Sequence, residues 1–302
     1  DIWVRRGWPG LVLPMPHCSG SDVVGELVQS CDPTCRIPLG SRVMINPGIL
    51  TASDEWTARG EESVSPGYKI LGEHCRGGLA EYVVVPGRNV FELPAAVSIE
   101  SGAASLLVGT TAWRMLRHRA KLRSGETILV VGAGGGVNTV TVGLAKAFGA
   151  NVIVVARDAE KARKARALGA HEVINAALHP AWSKVVLALT GGRGVDVVVD
   201  NVGAATMSHS MRACARGGRI VTVGNTSGPQ LQIDNRLLFV KQISLIGSTM
   251  GSTQDFLDAS NFIFTQNITI PIDTVAPLSQ GIAMMHRLEE GHQFGKIVLL
   301  NE

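Results

Sequence analysis

The stretch Ile128-Leu129-Val130-Val131-Gly132-Ala133-Gly134-Gly135-Gly136-Val137-Asn138 joins an apolar β-branched run, a glycine-rich turn and the start of a helical pattern. Val137, Val140, Leu144, Ala147 and Phe148 recur at helical spacing and predict a helix over 137–149. A turn with almost no side chains between strand and helix exposes backbone N–H groups, and the helix N-terminus adds favourable potential for an anion such as a pyrophosphate. A bare G-x-G is weak evidence, but the pattern continues with a second strand over 151–156, a helix over 158–168, and strands at 173–174, 196–200, 219–224 and 243–247. Uninterrupted Val/Ile runs are expected of a parallel sheet covered by helices on both faces. The chain from 117 to 264 therefore reads as a doubly wound α/β domain, with Gly132, Gly134, Gly135 and Gly136 facing a dinucleotide. Asn138 stands where the fingerprint has its last glycine, which predicts a slightly wider gap between helix and strand.

The second strand ends Val154-Val155-Ala156-Arg157-Asp158. An NAD site places an acid at this tip to accept from the ribose 2′-hydroxyl. Here the tip is Ala156, with Arg157 beside it, so the reading is NADP(H) in preference to NAD(H). Asp158 reads as the cap of the following helix. The alternative stays open: Arg157, Lys161, Arg163 and Lys164 form only a solvated basic face and Asp158 serves the ribose.

Before residue 117 the character differs, with short β-branched runs broken by Gly and Pro at 41–48 and 78–86 that predict antiparallel strands. A helix is expected over 99–116, and 268–302 returns to β and is expected to rejoin the first domain, which is completed by 265–302. Thirty-five glycines in 302 residues are about 12% against a typical ~7%, with no Gly-X-Y period, so many tight turns are expected and collagen is excluded. A net charge of +3 with no basic block interleaved with aromatics excludes nucleic acid as the default partner. Mean hydropathy is +0.20, yet no apolar stretch reaches 18 residues, so no membrane span is expected. Five cysteines do not make a disulfide framework, and a reducing cytoplasm is the expected compartment, with a Cys31–Cys35 pair left open.

These residues resemble the medium-chain dehydrogenase/reductase superfamily, the zinc alcohol dehydrogenases and their zinc-free quinone-reductase relatives. The resemblance runs through Gly20–Glu26, Gly40–Val43, Ile70–Tyr82, Gly109–Trp113, the glycine loop, Gly247–Gly251 and Gly295–Val298. It implies a GroES-like β domain, a Rossmann domain, and hydride transfer in the cleft between them. It also implies that the nicotinamide rests against Thr111 and Val137, with Val223 and Gly224 beside its carboxamide. Lys161 is expected at the adenosine ribose and Lys296 at the pyrophosphate. Core packing is the competing reading for Thr111, Val137 and Val223. Relative to the family pattern, the first tens of residues are absent, including a zinc-binding Cys and the proton-relay hydroxyl.

Departures from the pattern carry the chemistry. Relatives with catalytic zinc read Gly-His-Glu where this chain has Gly20-Ser21-Asp22, and Cys where it has Leu107. The structural-zinc lobe uses C-x2-C-x2-C-x7-C, and that spacing falls on Thr51, Asp54, Thr57 and Ser65. A hydroxyl and an alkyl group do not replace imidazole and thiolate at zinc, so no zinc is expected at either place. His17, Cys18 and Asp22 lie close in sequence but read as structural, as do His74, Tyr68 and Tyr82, and Cys214 reads as a core residue in a helical stretch. No general acid is assigned. The expected function is an NADP-dependent alcohol dehydrogenase or ketone reductase, with quinone or enone reduction as the alternative and a silent NADPH-binding sensor as a further one. A homodimer or homotetramer is expected, paired through 241–247.

Overall fold

The computed structural model describes every residue except Trp8, Pro9, Pro14, Thr34 and Glu302. The chain divides into two compact units, one of Asp1–Thr110, Met250–Thr265 and Ile270–Glu302, the other of Thr111–Thr249 and Gln266–Thr269.

The second unit is built on six parallel strands, β1 (Thr127–Val131), β2 (Asn151–Ala156), β3 (Glu172–Asn175), β4 (Val195–Asp200), β5 (Cys214–Thr222) and β6 (Ser244–Gly247). Their spatial order is β3-β2-β1-β4-β5-β6, so the chain reverses direction of travel between β1 and β4. Ligands of such sheets bind outside the carboxyl ends of the strands at that reversal. Ile128, Leu129, Val130 and Val131 are buried on both faces of the sheet, as are Val152 and Val154, which is why the runs are uninterrupted rather than alternating. The helix after β1, α1 (Gly136–Ala147), buries Val140, Thr141, Leu144 and Ala145, while Val137 is only half-buried and Ala147 is exposed. Its inward stripe is thus rotated from the predicted one. The helix after β2, α2 (Ala159–Ala167), starts at Asp158, whose carboxylate accepts from the Lys161 N–H at 2.9 Å, the capping role read from the sequence.

Cys214 is fully buried as predicted, but it opens β5 instead of lying in a helix, because the helix before it ends at Ala213. Burial pushes its thiol up to about 12, so it is a core residue and not a nucleophile. All five cysteines are free, including Cys31 and Cys35. No helix among the described residues is long and apolar enough to cross a membrane.

The first unit is a set of small sheets. Val24–Glu26, Arg42–Ile45 and Val90–Glu92 are antiparallel neighbours, Gly48–Leu50 pairs with Tyr68–Ile70, and Ile272–Pro277 pairs with Lys296–Leu300. The run 78–86 departs from expectation: Val83 and Val85 pack on the cluster of Val43, Ile45 and Leu71 while Val84 stays exposed, yet the segment forms no ladder. Its side chains alternate as in a strand, but among the described residues no neighbouring strand meets its backbone. The predicted helix over 99–116 runs from Ile99 to Trp113 and then loosens into a π-helical turn, Arg114–Arg119. The helix Thr253–Thr265, all but its last residue read from sequence as part of the nucleotide domain, drives Phe256 into a cluster with Met44, Leu93 and Leu106 of the first unit.

Candidate functional site

In the second unit the chain leaves β1 through Gly132, whose φ of +92° is a left-handed value that a side chain would strain. Its N–H donates to Val155 O at 2.9 Å, which fixes the turn on the edge of β2. Gly135 caps α1 in extended conformation, so the unpaired N–H groups of the helix's first turn open at the carboxyl end of the sheet. Lys161 lies over this turn: a Cβ on Gly134 would come 2.9 Å from its ammonium nitrogen, which places the lysine against the glycine backbone. Burial, then the neighbouring Arg157, lower the Lys161 pKa. These features fit a pyrophosphate and its ribose.

Ala156 is buried at the tip of β2, and Arg157 next to it is exposed. Arg157 Nε meets Asp158 Oδ2 at 3.4 Å, while the other carboxylate oxygen caps α2. The cap bond from Lys161 N–H, with Arg157 beside it, holds the Asp158 carboxyl below the usual carboxylate range. Both oxygens of the alternative ribose acceptor are thus engaged within the chain.

Thr111 is buried on the long helix of Ile99–Trp113, whereas Val137, Val223 and Gly224 are half-buried at the carboxyl end of the sheet. At that end of the sheet lies a polar link that sequence reasoning missed. Asn138 is 7% exposed; its side-chain nitrogen donates to Val131 O at 2.8 Å and Gly132 O at 2.6 Å, and its oxygen accepts from Asn201 Nδ2 at 2.7 Å. Asn201 in turn accepts from the Val223 N–H at 2.8 Å. The one signal in the sequence was the broken glycine fingerprint at Asn138. Asn201 follows β4 with no pattern of its own.

The first unit encloses a cavity of about 1260 Å³ with apolar walls, among them Val43, Ile45, Met284 and Leu299. Among its charged lining residues Lys296 is paired: its ammonium meets Asp22 Oδ2 at 2.6 Å while Asp22 Oδ1 accepts from the Leu107 N–H at 2.7 Å. Tyr68 donates to Gly251 O, and His74 Nδ1 accepts from Ile70 N–H, both structural as read. Tyr82 is 74% exposed.

Zinc does not fit the residues present. Ser21 and Leu107 bring neither imidazole nor thiolate, and His17 turns Nε2 to Gly72 O while Cys18 Sγ donates to Leu79 O. At the four positions with structural-zinc spacing, the side chains bond to one another and to the backbone. Asp54 accepts from Ser65 Oγ at 2.7 Å and from Thr57 N at 2.9 Å, Thr57 Oγ1 accepts from Asp54 N at 2.8 Å, and Thr51 Oγ1 donates to Gly67 O at 3.0 Å. Among the described residues no cluster of three or more His, Cys, Asp or Glu is arranged to hold a metal.

Two family profiles match the chain, an alcohol dehydrogenase GroES-like domain over residues 1–95 and a zinc-binding dehydrogenase domain over 136–265. An NAD-dependent alcohol dehydrogenase of Saccharolobus solfataricus is 30% identical over 99% of this chain and 88% of its own length. The quinone oxidoreductase of Mus musculus is 28% identical over 84% of this chain and 68% of its own. A crystal structure of an NAD-dependent alcohol dehydrogenase superposes with a TM-score of 0.93 at 38% identity, covering 99% of this chain and 87% of that one. A six-stranded parallel sheet entered by a glycine turn, a GroES-like β unit, and an alcohol dehydrogenase relative 30% identical over 99% of the chain assign it to the oxidoreductases of the medium-chain dehydrogenase/reductase superfamily.

Proposed function

We propose that the protein is a zinc-independent, NADP(H)-dependent oxidoreductase that interconverts a small carbonyl compound and its alcohol. The observation that carries this reading is the pairing of a glycine turn under Lys161 with metal positions that lack metal ligands. In this reading Gly132, Gly134, Gly135 and Gly136 receive the pyrophosphate and Lys161 the adenosine ribose. Thr111, Val137, Val223 and Gly224 surround the nicotinamide, which when bound supplies or accepts the hydride. Lys296, the other residue expected at the pyrophosphate, is paired with Asp22 within the first unit.

Preference for NADP(H) is supported by Ala156, which presents no carboxylate to repel a 2′-phosphate, and by the exposed Arg157 beside it. It goes against the names of the Saccharolobus solfataricus relative and of the superposed crystal structure, both called NAD-dependent. The cofactor ratio is therefore the informative assay.

Without a Lewis acid, charge developing on the substrate oxygen needs another donor. For a ketone, Ser21 is the hydroxyl that stands at a ligand position of the zinc enzymes. The absence of ligands also favours a second reading, reduction of a quinone or enone, in which charge spreads over a conjugated system and backbone N–H groups suffice. The apolar cavity of the first unit suits either acceptor. Pairing of copies through β6 is supported by its place at the sheet edge and by the exposed Leu245 within it and Phe239 and Val240 before it, giving a dimer or a tetramer built from two dimers. The test is NADPH oxidation with a cyclic ketone, an enone and a quinone. Tight NADPH binding without turnover of any of the three would indicate a sensor instead.

A further inference from the structure

The polarity of the Asn138–Asn201 link is set from both ends. Carbonyl oxygens of Val131 and Gly132 only accept, so the Asn138 atom facing them is the amide nitrogen and its oxygen faces Asn201. The Val223 N–H only donates, so Asn201 presents its oxygen there and its nitrogen to Asn138. Both assignments agree, and the run of bonds has one direction from Val223 N–H to the end of β1.

This run crosses the reversal point of the sheet. Asn138 sits in the first turn of α1, Asn201 follows β4, and Val223 follows β5, so one side-chain pair ties together the carboxyl ends of the three strands around the crevice. Gly224 is held close as well: a Cβ there would lie 3.1 Å from Asn201 O. In the usual fingerprint the last glycine only lets helix and strand approach. Here the same position carries a buried amide that reads the loop opposite.

We infer that Asn138 and Asn201 form a positioning relay that holds the Val223–Gly224 loop in register with the glycine turn, and thereby sets how the nicotinamide half of a dinucleotide is presented. The inference rests on the reading of this crevice as a dinucleotide site. Neither asparagine is a catalytic residue; each acts through the backbone it holds.

The test is calorimetric binding to the wild-type chain of whichever of NADP⁺ and NAD⁺ binds more tightly, alongside the same molecule without its nicotinamide (ADP-ribose or its 2′-phosphate). Asn201→Ala removes both side-chain bonds, to Asn138 and to Val223. Asn201→Asp is isosteric, keeps an acceptor for Val223, and removes the donor to Asn138, so it decides the matter even if the alanine variant does not fold. Each variant is expected to lose about tenfold in affinity for the dinucleotide, the scale of one hydrogen bond. Each is expected to keep its affinity for the fragment within about twofold. Asn138→Gly combined with Asn201→Asp is expected to be no worse than Asn138→Gly alone, because both remove the same bond. Equal losses on both ligands, or an Asn201→Asp variant that binds like wild type, would overturn the relay while leaving the dinucleotide site standing. A wild-type chain that binds neither ligand would overturn the dinucleotide reading and the relay with it.

Discussion

The Ser65 hydroxyl donates to Asp54 Oδ2 at 2.7 Å, and these two residues occupy two of the four positions at which structural-zinc relatives carry sulfur. Through its other oxygen Asp54 also caps the short helix Glu55–Ala58, so one carboxylate gathers the lobe that a metal would otherwise gather.

Replacing Asp54 by Ala is therefore expected to lower the melting temperature and to speed proteolysis within residues 51–67, while EDTA leaves the wild-type melting curve unchanged. The Ser65 hydroxyl, then the Thr57 N–H, hold the Asp54 carboxyl below the usual carboxylate range. A depressed acid stabilises above its unfolded value and loses that contribution as pH falls through the folded one, so the lobe is expected to loosen only below about pH 4. A wild-type melting temperature that falls on chelation would contradict this.

Arg219 of β5 bonds both oxygens of Glu126, at 2.9 and 2.7 Å, and donates to the carbonyls of Ala120 and Lys121. Burial pushes the Glu126 carboxyl up, but the Arg219 bonds and the Arg123 N–H outweigh it and leave it depressed. Arg219→Ala is expected to cost about 1 to 3 kcal/mol in urea unfolding at pH 7. The difference from wild type should shrink as pH falls through the carboxylate range, because protonated Glu126 no longer needs its cation.

Lys296 and Asp22 form a half-buried pair inside the first unit. Removing the cation strands the carboxylate, so Lys296→Met alone should destabilise by about 1 to 3 kcal/mol, and adding Asp22→Asn should recover part of that loss. Additive effects in the double variant would show that the pair is not coupled.

Ala156→Asp together with Arg157→Ile is expected to move the ratio of kcat/KM for NADPH over NADH by about tenfold or more towards NADH, since a charge-assisted bond is lost and a carboxylate is gained at the 2′ position. An unchanged ratio would assign the ribose contact elsewhere.

Much of the second unit was legible because each signal there is local. A strand buried on both faces writes itself as an unbroken Val/Ile run, and a cap such as Asp158 lies within three residues of the N–H that it serves. The first unit was harder. Val83 and Val85 alternate with exposed Val84 like any strand, and only the backbone neighbours, which no local pattern records, show that the ladder does not form. The helix that carries Phe256 was assigned to the other unit for the same reason, since its partners Met44, Leu93 and Leu106 are 150 or more positions away. At the site, Asn138 was visible as an anomaly, but its partner Asn201 lies 63 positions on, and nothing in the intervening pattern joins them.

The most direct measurement is the initial rate of NADPH and NADH oxidation by EDTA-treated protein with a cyclic ketone, an α,β-unsaturated ketone and a quinone. Turnover that persists in EDTA, prefers NADPH and is unchanged by added zinc is the expected result, and the best acceptor then separates carbonyl from conjugated-system reduction. Activity abolished by EDTA and restored by zinc would contradict the zinc-free reading and place a metal on residues that this structure shows engaged with one another.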